Sequence, residues 1–242
     1  MKFRTVLTSI LATITLINAS TVENKFTPII IDDGLIIFLP TPSEKSDLPS
    51  GLSEELVNTL SYMGNEERLA YDVYNRLYKE WGIKTFTNIA NKSEIKHIEA
   101  VQDLIQKYKL NDLNHFTNVD LPALGYMNTA VEDMEAGTYD ISKIQRLYDD
   151  LVSMGSRSEI DALKVGCIVE VVDINDLDEY IHLAEASNAS DVVDTFTFLR
   201  KGSYNHYWSF DKALKQRGVT DGCCKLGTID GVNYCHPEYP SK

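Results

Sequence analysis

The sequence predicts an all-α fold: a four-helix bundle with a long crossover between helices two and three, preceded by a short N-terminal β-like arm. Three observations carry this prediction. Apolar residues recur at spacings of three and four over four long stretches, which places them on one stripe of an α-helix. The interval between the second and third stretches, residues 110–140, contains Pro122, Gly125 and Gly137 and is long enough to carry the chain back along a bundle. Short apolar runs flanking a turn signal occur before residue 50, outside the helical region. At 242 residues, 43% of them hydrophobic, the chain can bury a sizeable core in one domain.

Residues 1–19 read as a signal peptide. Lys2 and Arg4 open it, Val6 to Ile17 form an apolar stretch, and Asn18-Ala19-Ser20 offers small residues for cleavage. The expected location is extracytoplasmic: secreted, periplasmic or cell-surface. An uncleaved anchor is the alternative, and it would make a membrane a partner. Residues 20–50 form the arm and linker. Ile29-Ile30-Ile31 and Leu35-Ile36-Ile37-Phe38 flank Asp32-Asp33-Gly34, an Asp-Gly turn signal, and Pro40, Pro42 and Pro49 punctuate a polar linker.

The helical domain is expected over residues 51–218. Its first helix starts at Ser53, a good N-cap, and carries Leu56, Leu60, Met63, Ala70, Val73, Leu77 and Trp81, with a possible break at Gly64 and a stop at Gly82. A second run covers residues 86–108, with Ile89, Ile95, Ile98, Val101, Leu104 and Ile105 on its apolar face. A short helix over 141–154 belongs to the crossover. The third helix opens at Ser158, where Ser158-x-x-Asp161 approximates a capping box, and runs to Ala186. The fourth covers 191–217 and stops at Gly218. The tail, residues 219–242, shows no helical period.

Four cysteines, Cys167, Cys223, Cys224 and Cys235, suit disulfides in an oxidising compartment. Their connectivity does not follow from sequence, although Cys235 with Cys223 or Cys224 closes an easy small loop. A zinc site using Cys235 and His236 is the alternative. The net charge of −13 and the absence of a basic patch argue against nucleic acid as a partner.

The chemistry centres on Ser93-Glu94-Ile95-Lys96-His97-Ile98-Glu99. Glu94 and His97 stand three apart on a helix, so one metal ion can be reached by both. Each of the other long helices offers a candidate partner: Glu66-Glu67 on the first, Glu170 on the third with Asp173 a turn later, and His206 on the fourth. Glu170 stands among Val169, Val171 and Val172, where a buried carboxylate is costly unless compensated. Each has an ordinary alternative. Glu66 and Glu67 can be solvated, Glu94 and His97 a surface pair, Glu170 on an outer face, and His206 a satisfied core histidine. Tyr71, Tyr74, Tyr78 and Trp208 read mainly as packing.

Glu67-Arg68-Leu69-Ala70-Tyr71-Asp72-Val73-Tyr74, followed by Ser93-Glu94-Ile95-Lys96-His97, resembles the first two helices of ferritin-like, rubrerythrin-type proteins. Gly166-Cys167-Ile168-Val169-Glu170-Val171-Val172-Asp173-Ile174-Asn175-Asp176-Leu177 and Arg200-Lys201-Gly202-Ser203-Tyr204-Asn205-His206 resemble a branch of that superfamily described as a ferritin-like domain of unknown function. The resemblance covers residues 53–217. It implies a metal site made by Glu67, Glu94, His97, Glu170 and His206, with Glu67 or Glu170 bridging if two ions bind. It implies iron, as one or two ions, with manganese or zinc as alternatives, and O₂ or peroxide as reactants of an oxidase, peroxidase or ferroxidase. One position departs from the pattern. Ser203 stands where the fourth helix would carry a second Glu, and Asp173 could compensate for it. That departure also admits an extracytoplasmic binding or structural protein that retains the fold without turnover, holding at most a structural zinc ion.

Overall fold

The computed structural model describes residues 26–31, 35–40, 51–110, 136–139 and 141–241. The predicted signal segment, the Asp32-Asp33-Gly34 turn, residues 41–50 and crossover residues 111–135 lie outside the described residues. The chain divides into two compact units, residues 1–44 and 45–242. In the first, β1 (Phe26–Ile31) and β2 (Leu35–Pro40) pair antiparallel, with Phe26 opposite Pro40 and Ile31 opposite Leu35. That is the hairpin expected of two apolar runs around an Asp-Gly turn.

The second unit is mainly α-helical, as expected. Helix α1 (Glu54–Trp81) is capped by Ser53, whose Oγ accepts from the Leu56 N–H at 3.2 Å, and Glu54 and Glu55 suit its N-terminal dipole. It ends at Gly82, whose positive φ of 65° lets its N–H return to the Tyr78 carbonyl. The possible break at Gly64 does not occur: α1 runs through it. A glycine costs a helix interior about 1 kcal/mol. The helix here is packed from all sides between Met63 and Tyr74, and that burial outweighs the penalty.

The second helical stretch begins two residues earlier than predicted and is not uniform. It consists of α2 (Lys84–Ile89), a π-helical turn over Ala90–Glu94, and α3 (Ile95–Lys107). Phe86, Ala90 and Glu94 are four apart, and all three are buried. A π turn holds more residues than an α turn, so it keeps such fours on one face where a regular helix would let them drift. It thereby delivers Glu94 and His97 to the interior.

Helix α4 (Ser142–Gly155) follows the crossover and packs on α1 and on α5 (Glu159–Ala186). Ser158 caps α5 as read from the sequence, accepting from the Asp161 N–H at 3.0 Å. Helix α6 (Ser190–Gln216) makes its most extensive contact with α5. A 3₁₀ turn (Gly222–Leu226) and a two-residue hairpin, β3 (Thr228–Ile229) with β4 (Val232–Asn233), finish the described chain.

Side-chain pairs define how the long helices run. Tyr62 meets Tyr180 while Tyr74 bonds Glu170, so α1 and α5 are antiparallel. Asn75 meets Asn91 while Glu67 meets His97, so α1 and the α2–α3 stretch are antiparallel. Tyr108 reaches Asp191 while Glu94 reaches His206, so α3 and α6 are antiparallel. Arg217 reaches Glu159 while Ser203 reaches Asp173, so α5 and α6 are too. These four pairings close a ring around a common interior.

That interior has two apolar layers. One contains Tyr74, Phe86, Ile98, Val169 and Phe210; the other contains Leu60, Met63, Val101, Leu177, Phe196 and Leu199. Segment 136–139 closes over α1: Arg68 donates to the Thr138 carbonyl, while Asp72 accepts from the Gly137 N–H and the Tyr139 hydroxyl.

All four cysteines are paired, as Cys167–Cys223 and Cys224–Cys235. The easy loop through Cys235 thus forms with Cys224. The Cys235–His236 zinc alternative fails, since the Cys235 sulfur is in a disulfide and His236 contacts Glu238 and the Asn233 carbonyl. Two disulfides point to an oxidising, extracytoplasmic environment. Among the described residues no helix is long and apolar enough to cross a membrane.

Candidate metal centre

Where the apolar layers of the ring meet, the interior is polar. All five residues singled out from the sequence, Glu67, Glu94, His97, Glu170 and His206, are buried there. Each long helical stretch supplies at least one of them: Glu67 from α1, Glu94 and His97 from the π turn and α3, Glu170 from α5 and His206 from α6. The solvated and outer-face alternatives for Glu66, Glu67 and Glu170 are overturned, since each is only 2% exposed.

Their order in space is an alternation of carboxylates and imidazoles. His97 Nδ1 lies 3.0 Å from Glu67 Oε2 and 3.1 Å from Glu94 Oε2. His206 Nδ1 lies 3.1 Å from Glu94 Oε1 and 3.3 Å from Glu170 Oε2. Two ligand-capable groups result, Glu67–Glu94–His97 and Glu94–Glu170–His206, each with donor atoms within 4.8 Å of one another. Glu94 spans both groups, one oxygen toward each histidine. The sequence-based expectation gave that role to Glu67 or Glu170. Those two instead close the ends, and the geometric reason is that Glu94 projects from the stretch packed between α1 and α6.

The surroundings hold this arrangement in place. The Tyr74 hydroxyl donates to Glu170 Oε1. Tyr74 follows Glu67 by seven residues, two helical turns, so it lies on the same stripe of α1. That spacing is a signal a sequence reading can use, although Tyr74 reads by composition as packing. The His97 and His206 rings stack at 5.5 Å, and Phe198 meets His97 edge-on at 5.5 Å. Gly202 is the other determinant that sequence reasoning missed. A Cβ at this position would fall 2.3 Å from His97 Nε2 and 2.5 Å from Cε1. The His97 ring therefore rests against the bare backbone of α6, which leaves Nδ1 as the nitrogen facing the carboxylates. An isolated glycine inside a helical pattern is the sequence signal of such a close approach.

Ser203 and Asp173 resolve together. The Ser203 hydroxyl contacts Asp173 Oδ2 and lies 3.0 Å from the Leu199 carbonyl. Asp173 is buried beside the centre, though outside the two groups whose donor atoms converge.

Electrostatics follow from burial and from this alternation. Burial pushes the Glu67 carboxyl up to about 7, with the nearby His97 limiting the rise. Burial also opposes ionisation of Glu94, yet His206 and His97 together hold it far below the usual carboxylate range. Burial alone would depress both imidazoles. Glu67 and then Glu94 raise His97 well above its ordinary value, and Glu94 and Glu170 raise His206 to about 10. Burial raises Glu170, opposed first by His206. Burial also raises Asp173 well above its ordinary value, reinforced by the charges of Glu67, Glu66 and Glu170. The carboxylates around them thus favour the protonated, cationic form of both histidines.

Hydrogen bonds do not exhaust the donor atoms. Glu67 Oε1, Asp173 Oδ1 and His206 Nδ1 are buried and have no partner of hydrogen-bond geometry. For His206 Nδ1 this means its neighbours at 3.1 and 3.3 Å are near but misaligned. Buried, unaligned donors around a shared carboxylate fit a cation between them, because an ion accepts ligands from directions a proton cannot serve. Oxygen and imidazole nitrogen suit iron, manganese or zinc.

A family model described as an uncharacterized protein domain, DUF2202, matches residues 57–230, a span that includes every residue of the centre. An uncharacterized protein of Methanocaldococcus jannaschii, MJ0754, is 36% identical over 174 residues, covering 72% of this chain and 83% of that protein. The crystal structure of a hypothetical protein from Methanococcus jannaschii, MJ0754, superposes with a TM-score of 0.57 at 34% identity, covering 74% of this chain and 87% of that one.

Proposed function

This chain belongs to the DUF2202 family, and we propose that it is an extracytoplasmic ferritin-like four-helix bundle that binds iron and oxidises Fe²⁺ or reduces peroxide. In this reading residues 1–19 direct export, 20–50 are an arm, 51–218 are the bundle and 219–242 are a disulfide-stapled tail. The closed ring of antiparallel helices supports the bundle. The single observation that carries the function is Glu94, buried and shared between Glu67–His97 on one side and Glu170–His206 on the other.

One ion would be held by Glu67, His97 and Glu94, and a second by Glu94, Glu170 and His206. Bound iron would supply the one-electron steps that O₂ and peroxide chemistry needs. The chain's own residues do the rest. The apolar layers exclude bulk water, which strengthens every charge interaction in the centre. Tyr74 orients Glu170 through its hydroxyl, and Gly202 seats His97 so that Nδ1 faces inward. His97 and His206 must each release the Nδ1-side proton as a cation enters, so loading exchanges protons for metal.

The test is metal analysis of protein purified without chelator, alongside an E94A/H97A variant. About two iron ions per chain in the parent and a loss of both in the variant are expected. Stoichiometric iron persisting in the variant would overturn the centre. Anaerobic Fe²⁺ loading followed by O₂ or peroxide then reads turnover. A second reading, a binding or structural protein without turnover and with at most a zinc ion, is favoured by Ser203, which offers a hydroxyl where a second fourth-helix carboxylate would complete the ferritin-like set. Metal that binds stoichiometrically yet leaves O₂ and peroxide unconsumed would select it.

A further inference from the structure

Beside the centre, on the α1–α5 seam, lies a buried carboxylate that the centre does not use. Glu66 is 2% exposed, and neither of its oxygens has a hydrogen-bond partner. A carboxylate taken out of water with no compensation costs several kcal/mol by the usual transfer arguments. A neutral carboxylic acid would also leave its O–H without an acceptor.

The antiparallel register shows what Glu66 faces. Tyr62 pairs with Tyr180 at 6.2 Å at one level, and Tyr74 bonds Glu170 at another. Between these levels α1 carries Glu66 and α5 carries Asp173 and Asp176. Tyr62 precedes Glu66 by four residues and Tyr180 follows Asp176 by four, so each tyrosine shares a helix stripe with its acid. Of the charges acting on Glu66, that of Asp176 is the largest. Asp176 is only half-buried, yet its Oδ2 is buried without a partner, as are Asp173 Oδ1 and the Tyr62 hydroxyl. Five unpartnered oxygens thus collect along one seam. The basic group whose charge acts on Glu66 and Asp176, Lys143, rests its ammonium over the Tyr62 ring at 4.6 Å and forms no ion pair with any of these acids at 4.0 Å or less among the described residues.

We propose a second kind of cation site in this seam, in which Glu66 and Asp176 bind an oxygen-preferring divalent cation. It shares none of the five residues assigned to the centre and does not require the centre to be loaded. All its side-chain donors are oxygens, which selects hard ions such as Mn²⁺, Mg²⁺ or Ca²⁺ over thiophilic ones. Asp176 is the side through which a hydrated ion enters, since it alone of the three acids is partly exposed.

The test is Mn²⁺ binding to the full chain, read as the loss of the free-ion EPR signal. An E94A/H97A variant, which removes the carboxylate shared by both groups of the centre, should still bind one Mn²⁺. Adding E66Q or D176N to E94A/H97A should weaken that binding at least tenfold, with helical content checked by circular dichroism. K143M in the E94A/H97A background separates the two ways of compensating Glu66. If the site takes a metal, removing the nearby positive charge raises Mn²⁺ affinity severalfold. If the Lys143 ammonium is itself the counter-ion, the variant loses stability and gains no affinity, and the proposal fails. It also fails if E94A/H97A binds no Mn²⁺, or if E94A/H97A and E66Q/E94A/H97A bind it equally. None of these outcomes depends on whether the centre turns over.

Discussion

Gly202→Ala tests the geometry of the centre through a single methyl group. The added Cβ would sit 2.3 Å from His97 Nε2, whereas ordinary contact begins near 3.4 Å, so the ring must retreat by about 1 Å. His97 Nδ1 holds Glu67 at 3.0 Å and Glu94 at 3.1 Å, and a displacement of that size compresses or misaligns both contacts. Two opposite effects on stability compete. Alanine is favoured over glycine inside a helix by about 1 kcal/mol. Overpacking a full interior costs about 1–3 kcal/mol. With His97 present the clash should win, and G202A should destabilise the metal-free protein by about 1 kcal/mol. With the ring removed, in H97A, the three atoms that an added Cβ would meet first are gone, and the same substitution should stabilise by about 1 kcal/mol. Urea unfolding of the four proteins in this cycle should therefore show a change of sign and a coupling of about 2 kcal/mol. Metal affinity, followed by the visible absorption of Co²⁺, should fall about 10- to 100-fold in G202A alone, as when a ligand loses its supporting contacts. A G202A variant that shifts stability equally in both backgrounds, or binds Co²⁺ as tightly as the parent, would refute this role for the glycine.

Two further outcomes rest on the same structure. His206 is raised from 6.5 to about 10 and Glu67 from 4.5 to about 7, so both bind protons more tightly in the folded metal-free protein than in the unfolded chain. Their contributions to stability are complete below the unfolded values and are lost as pH rises, through about 7 for Glu67 and about 10 for His206. The metal-free protein should accordingly melt at a lower temperature at pH 10 than at pH 6. The overall constant for loading both ions should rise over the same interval by about a hundredfold per pH unit, about tenfold for each ion, with about two protons released per two ions loaded in calorimetry across buffers of different ionisation enthalpy; no proton release would contradict the assignment. The disulfides differ in the chain they close. Cys167–Cys223 spans 56 residues and Cys224–Cys235 spans 11. Chain-entropy arguments then give about 4 kcal/mol lost in C167A/C223A and about 3 kcal/mol in C224A/C235A. Chemical denaturation should rank them in that order, and the reverse order would show that the tail's staple matters more than its tether to α5.

The helices and the Glu94–His97 pair were legible because both rest on local spacing, whereas the full five-residue set came from the resemblance to ferritin-like proteins. Stripes at three and four residues mark a helix, and Glu94 and His97 meet because they are a turn apart. The features that were not legible depend on packing between elements. Gly64 reads as an interruption, yet α1 is enclosed there by neighbours on every side, and enclosure overrides propensity. The same enclosure buries Glu66 as well as Glu67, although adjacent residues point 100° apart and a surface helix would bury only one. Segment 136–139 and α4, which cover that side of α1, cannot be placed from the periodicity of α1 alone. The π turn at Ala90–Glu94 leaves only a run of fours in the buried positions, too short to separate from a regular helix. The Cys167–Cys223 pair joins the middle of α5 to the tail, a tertiary proximity that spacing does not encode.

Ser203 shows why a missing carboxylate need not be a defect. On the ferritin-like reading, a glutamate at 203 would add a further negative charge to an interior that already holds Glu66, Glu67, Glu94, Glu170 and Asp173. His97 and His206 are the cationic groups paired with these acids, so each added carboxylate raises the cost of the metal-free state. A serine offers instead a neutral donor, and its hydroxyl is spent on Asp173, a carboxylate from α5. The effect is to move a negative charge from α6 to α5, off the axis through Glu94 and toward Glu67. The halves of the centre then differ: Asp173 acts on the Glu67 side, while Tyr74 caps Glu170 on the other. Two ions held there would not be equivalent.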